Sequence, residues 1–389
     1  MVVAIVPGAL SCAGHSTKQT TSPAPPAPIR IFPAAPAWTG TLDGSATAPA
    51  TADRTRVYLP LDNGRLVAID RETGVPAWSA EVATSWPLQL IDTSVYALNP
   101  DGLIEITAAT GAIARRFPLP GSPTGPMTRS GDLLLIPVGP AGLVAWHIRD
   151  ARETWKQTLA APTRLAPVIV GGVVFVVQTD SRVTALALTD GHPRWTTTLA
   201  GEPLALAANR TRVVVAASDR VVYALDATSG AIAWPDPAAA DIMGIAVDDT
   251  RVYIAALDNT VRALSSGNGN QRWKQPTPMR PIAPPLAFDR LVAVLGISPV
   301  VATFNAQTGA PIGTYAIPAE AGASSKPTLL VDPDLRPFRV ALVVITADGR
   351  AIGLRPSGMM FREGPAAPLT ELPGRQLQRE RLPVTRKVQ

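Results

Sequence analysis

Few side chains in this 389-residue sequence could do chemistry, and their spacing argues against most of it. Cys12 is the single cysteine, so neither an intrachain disulfide nor a Cys-ligated zinc site can form. The three histidines, His15, His147 and His192, are scattered. His147 beside Trp146 is the one candidate acid or base; a lone histidine inside a repeat reads more simply as a hydrogen-bonding substitute. Ser11, Ser218 and the other serines have no His/Asp constellation to activate them. No Gly-rich phosphate loop follows a strand and opens a helix. Asp248-Asp249 and Asp332-Pro333-Asp334 are the nearest approach to a calcium ligand set, and both read as turns. The expectation is a chain with no catalytic, cofactor-binding or metal-binding residues.

The elements that would have to position such groups are far more legible. Ala68-Ile69-Asp70-Arg71-Glu72-Thr73-Gly74-Val75-Pro76-Ala77-Trp78 returns as Ala224 to Trp234, with Asp226, Ser229 and Gly230 in the matching slots. The Gly slots run Gly74, Gly111, Ala151, Gly191, Gly230, Gly269 and Gly309; four residues on stand Trp78, Arg115, Trp155, Trp195, Trp234, Trp273 and Gly313. The latter are 37, 40, 40, 39, 39 and 40 residues apart, and Trp38 lies 40 before Trp78. Six of the eight tryptophans fall on this grid; Trp86 and Trp146 do not. Each unit starts with a β-branched or aliphatic run, near Val57, Val95, Leu133, Val173, Val213, Val252, Leu291 and Val340. Turns such as Asp62-Asn63-Gly64 and Pro100-Asp101-Gly102 follow. Inner strands are expected at Pro203-Leu204-Ala205-Leu206 and Pro284-Pro285-Leu286-Ala287. A period near forty with short strands inside predicts an all-β propeller of eight four-stranded antiparallel blades. The eighth unit lacks a Trp strand, and the Trp38 strand lacks a unit. The prediction is that the N-terminal strand completes the last blade.

Outside residues 38–354 the pattern stops. Residues 1–12 form a short apolar run ending in small residues before Cys12, similar to the end of a bacterial lipoprotein signal, although Leu10 stands two rather than three residues before the cysteine. Residues 13–37, rich in Pro, Ser, Thr and Ala, read as an extended tether. Residues 355–389 read as a disordered, Pro-rich basic tail holding seven Lys/Arg against three Asp/Glu, a net +4 of the chain's +5. The propeller body is thus close to neutral, which argues against a nucleic-acid partner.

The A-x-D-x-x-T-G-x-x-x-W repeat resembles that of the pyrroloquinoline-quinone (PQQ) repeat propellers, over roughly residues 38–354. In that family the motif is a tryptophan-docking device. The resemblance implies a structural, blade-docking role for Trp38, Gly74, Trp78, Trp155, Gly191, Trp195, Gly230, Trp234, Gly269 and Trp273. Units two, three and seven depart from it (Arg115, Ala151, Gly313), and looser joints or altered surfaces are expected there. One branch of the family, the quinoprotein dehydrogenases, holds PQQ and calcium and usually a vicinal Cys-Cys disulfide, impossible with Cys12 alone. The branch similar in length and architecture is the lipoprotein propeller of the outer-membrane β-barrel assembly machine. The resemblance therefore implies a monomeric, non-catalytic scaffold without cofactor, binding envelope proteins through its loops and held at a membrane by acylated Cys12. A PQQ-dependent oxidoreductase and an envelope small-molecule sensor are the alternatives. If Cys12 is acylated, Cys12→Ala should move the protein from the membrane to the soluble fraction on cell fractionation; an unchanged membrane fraction would count against the anchor.

Overall fold

The structure is a computed structural model describing residues 34–288, 290–296, 300–316, 328–329, 340, 342–346 and 349–356. Cys12, most of the expected tether, Asp332, Asp334 and the tail beyond residue 356 lie outside the described residues.

The described residues form eight four-stranded antiparallel sheets. Blades 1 to 7 comprise residues 51–81, 89–117, 128–158, 168–198, 203–237, 242–276 and 286–316, each with its strands side by side in chain order. The eighth sheet runs Ala34–Thr41, Arg350–Pro356, Leu342–Ile345, Thr328–Leu329. Its outer strand comes from the N-terminal end, with Trp38 opposite Gly353 and Thr41 opposite Arg350. The predicted closure is therefore the observed one.

The two middle strands of each blade are the apolar runs read from the sequence. Val57, Tyr58, Leu59, Val213, Val214 and Val215 are fully buried. Buried side chains project from both faces of these strands, so each sheet packs against a neighbour on either side. The outcome is eight apolar clusters, one per junction. Tyr58, Leu66, Val95 and Ile106 join blades 1 and 2. Val57, Leu59, Val343 and Ile345 join blades 8 and 1, completing the ring.

Docking motifs sit at the edge of six of the eight junctions. Six indole N–H groups each donate to a backbone carbonyl of the next blade: Trp38 to Arg71, Trp78 to Ala108, Trp155 to Leu188, Trp195 to Ala227, Trp234 to Ser266 and Trp273 to Ala306, at 2.8–3.1 Å. Each indole also covers the glycine of that next blade, not the one four residues before it. A methyl group placed on Gly74 would lie 2.4 Å from Trp38, and one on Gly230 2.5 Å from Trp195. These glycines have φ near +73°, so two separate requirements exclude a side chain. Within its own blade each docking Trp stands opposite Ala68, Ala145, Ala185, Ala224, Ala263 or, for Trp38, Gly353. A bulge beside each of these alanines bends the outer strand and turns the indole toward the next blade.

Because strands alternate in direction, each propeller face collects two kinds of turn. One face carries the inner-to-second turns and the docking turns. The latter have uniform length: 71–75, 108–112, 188–192, 227–231, 266–270 and 306–310 hold five residues each, and 148–151 four. The opposite face carries the blade-to-blade connectors, whose lengths vary widely: 82–88, 118–127, 159–167, 199–202, 238–241 and 277–285.

Truncating a buried indole removes its packing and leaves a cavity. Trp234→Ala should cost roughly 3–5 kcal/mol in chemical denaturation, and Gly230→Ala, which must overlap Trp195 at a positive φ, about 2–4 kcal/mol. A loss below about 1 kcal/mol for Trp234→Ala, typical of an exposed site, would contradict the docking role.

Candidate functional site

Most of the sequence-singled residues are absorbed by the ring itself. Asp70 caps its docking turn, its Oδ1 accepting from the N–H groups of Glu72 and Thr73 and from the Thr73 hydroxyl at 2.8–3.0 Å. Asp226 repeats this with Thr228 and Ser229. His147 does the related job in blade 3, where its Nδ1 accepts from the Asp150 N–H at 3.2 Å. Asp248 caps the inner-to-second turn of blade 6 for Thr250 and Arg251, and accepts from the Tyr253 hydroxyl at 2.5 Å. That hydroxyl also lies 3.3 Å from the Ala306 carbonyl, the acceptor of Trp273. The capping carboxylate and the docking indole thus meet on one carbonyl across blades 6 and 7. Tyr58, Asp53 and Ala108 do the same across blades 1 and 2.

The exception is the junction of blades 2 and 3. Unit two has Arg115 in the Trp slot and Glu105 in the Ala slot, and the two stand opposite each other in register. Arg115 Nε donates to Glu105 Oε2 at 2.6 Å, Ser94 donates to Oε1 at 2.9 Å, and the guanidinium lies 5.1 Å from the Phe117 ring centre. The missing indole is supplied from the other side. Trp146 of blade 3 is buried against Phe117, ring centres 5.6 Å apart, with Trp86 half-buried on the same cluster. With no indole to cover it, the glycine slot tolerates Ala151, at φ +52°, in a turn one residue shorter than the others. The expected loose joint is therefore closed by an ion pair and a transplanted aromatic. Blade 7 makes a milder change: Thr303 faces Gly313 and donates to its carbonyl at 2.9 Å.

Burial tends to raise the Glu105 carboxyl, but hydrogen bonds from Arg115, Ser94 and Tyr96 outweigh it and hold the group below the ordinary glutamate value. Tyr96 beside it is pushed up to about 12 by burial and by the Glu105 charge. These are signs of a satisfied structural carboxylate. Sequence reasoning passed over Glu105; the signal was a Glu in the Ala slot facing an Arg in the Trp slot.

Among the described residues, no three His, Cys, Asp or Glu side chains gather where they could hold a metal ion. No helix among them is long and apolar enough to cross a membrane.

A family model described as "Outer membrane protein assembly factor BamB" matches residues 92–216 and 198–356, more than half of the chain. The chain belongs to this PQQ-repeat propeller family. A search of the curated proteins returns no match. Among solved structures, BamB from Moraxella catarrhalis is 18% identical, covering 83% of this chain and 97% of its own, with a TM-score of 0.62. The computationally designed Ika8 protein is 16% identical, covering 82% and 99%, with a TM-score of 0.69. The quinohemoprotein alcohol dehydrogenase ADHIIG from Pseudomonas putida is 11% identical, covering 83% and 76%, with a TM-score of 0.64. At these identities the three share the fold alone with this chain.

The Glu105 pocket makes a signed prediction. Because the folded-state pKa is depressed, the ion pair contributes stability above the unfolded-state value and loses it as pH falls through the folded one. Glu105→Gln should therefore destabilise the protein in urea at pH 7, and the gap from wild type should be smaller in acid, below the ordinary glutamate range, than at pH 7. A gap of equal size at both pH values would show that the charge is not what matters.

Proposed function

We propose that this protein is a non-catalytic scaffold of the cell envelope that holds other proteins through its loops, in the service of outer-membrane protein assembly. The single observation that carries this is the family match, whose model is described as an outer-membrane assembly factor. The asymmetry of the two faces supports it. Docking turns of uniform length are committed to inter-blade contact, whereas connectors 118–127 and 199–202 differ more than twofold in length. Variable loops on a rigid frame are where binding specificity is commonly built. In this reading the partners meet the connector face, Cys12 carries the lipid anchor, the protein works as a monomer on the periplasmic side of the outer membrane, and no cofactor is needed.

Site-specific photocrosslinking in intact cells tests the reading. Probes at exposed Arg164 and Glu202 on the connector face should capture proteins of β-barrel assembly, and probes at exposed Glu72 and Thr228 in docking turns should not. Dye-linked dehydrogenase activity of the purified protein after addition of PQQ and calcium would replace this reading with the oxidoreductase one.

A further inference from the structure

Every blade of a propeller ends in an outer strand with one free hydrogen-bonding edge, and such an edge will take another strand unless something blocks it. Here the blocks are visible. Proline lies within the outer strands Ala34–Thr41 and Ile232–Pro237, at the start of Pro76–Glu81, Pro193–Thr198 and Pro311–Ala316, and at the end of Gln271–Pro276. Arg152–Thr158 has no proline but is pinned inward by buried Trp155 and carries charges of both signs. Ile113–Phe117, the outer strand of blade 2, has no docking Trp and no proline at its start or within it; Pro118 follows it directly, in the slot that Pro276 fills in blade 6. Ile113, Ala114, Arg115 and Arg116 are all exposed, Ile113 at 39%.

We propose that this edge accepts an extended acidic segment of a partner protein by strand addition. Charge decides the occupant. The strand carries two arginines and no acid; Glu105 answers Arg115, which leaves Arg116 as the excess cation. A second copy pairing through the same strand would set arginines against arginines, which is unfavourable across a ladder. This chain's own C-terminal tail is net positive, and residues 13–37 contain no Asp or Glu. An acidic partner strand has no such conflict. Successive residues point to opposite faces, so two adjacent acids would meet Arg115 and Arg116 one on each face, with a β-branched residue beside Ile113.

The inference rests on the scaffold reading but is tested apart from it, with the purified full chain and a synthetic peptide. The probe is a capped ten-residue peptide alternating threonine and valine around a central Glu-Glu pair; its control carries Lys-Lys instead. Hydrogen–deuterium exchange of the amides of residues 113–117 is the readout. The Glu-Glu peptide should slow exchange there about tenfold at saturation, and the Lys-Lys peptide should not. Arg116→Glu, at an exposed position, should keep the fold by circular dichroism, weaken the Glu-Glu peptide by about fivefold or more and favour the Lys-Lys peptide. No slowing at millimolar peptide, equal response to both peptides, or slowing at another blade's outer strand would overturn the inference. Any of these would leave the scaffold reading to the crosslinking in cells.

Discussion

One contact, made six times, holds the ring: an indole leaves the outer strand of one blade, covers a glycine of the next and donates its N–H to a carbonyl at the start of that blade's turn. Packing and polar satisfaction are met at once. The ring buries apolar area, and the N–H, costly to leave unpaired in the interior, finds a backbone carbonyl as acceptor. The arrangement is specific because it sets three requirements around each indole. One is a small residue opposite in its own blade, alanine or for Trp38 glycine, one is the glycine it covers, and the third is the bulge that turns it outward. Sheets related by a common axis could slide over each other if only aliphatic surfaces met. A directional hydrogen bond at the rim removes that freedom.

The blade 2–3 junction shows how this constraint is released without opening the ring. Four positions change together. Arg115 replaces Trp, Glu105 replaces Ala, Ala151 replaces Gly, and Trp146 brings an indole where other units place the smaller Ile69, Leu186, Leu225, Leu264 or Phe304. The logic is reciprocal: an ion pair within blade 2 holds the outer strand, and volume from blade 3 fills the space the indole would have taken. Buried charge is ordinarily costly, and here the carboxylate accepts from several donors, which offsets desolvation. The same change strips blade 2's outer strand of its aromatic pin and leaves its arginines at the surface.

How far the sequence reveals this depends on whether a feature is periodic. The blade count, the closing strand and the docking role all rest on repetition. Slots such as Asp70, Gly74 and Trp78 could be read because their counterparts recur every forty residues. What escaped were relations between neighbouring repeats. That Gly74 serves Trp38 rather than Trp78 is a matter of handedness and strand order, which a spacing of four residues suggests wrongly. Glu105 escaped because a single acidic residue in an apolar strand looks like an exposed substitution until Arg115 is set opposite it. His147 was legible in kind, since a ring nitrogen can accept as a carboxylate does. Partners were legible only through resemblance, because connectors of unequal length have no repeat to be read against.

Closure of the eighth sheet has a consequence for how the chain must come together. Ala34 pairs with Pro356, and Trp38 reaches forward to Arg71 while lying against Gly353. The first of the described strands is therefore the last to find its place, waiting until residues 350–356 have been made. Until then the inner faces of the first and seventh blades remain bare, and their apolar side chains need shielding.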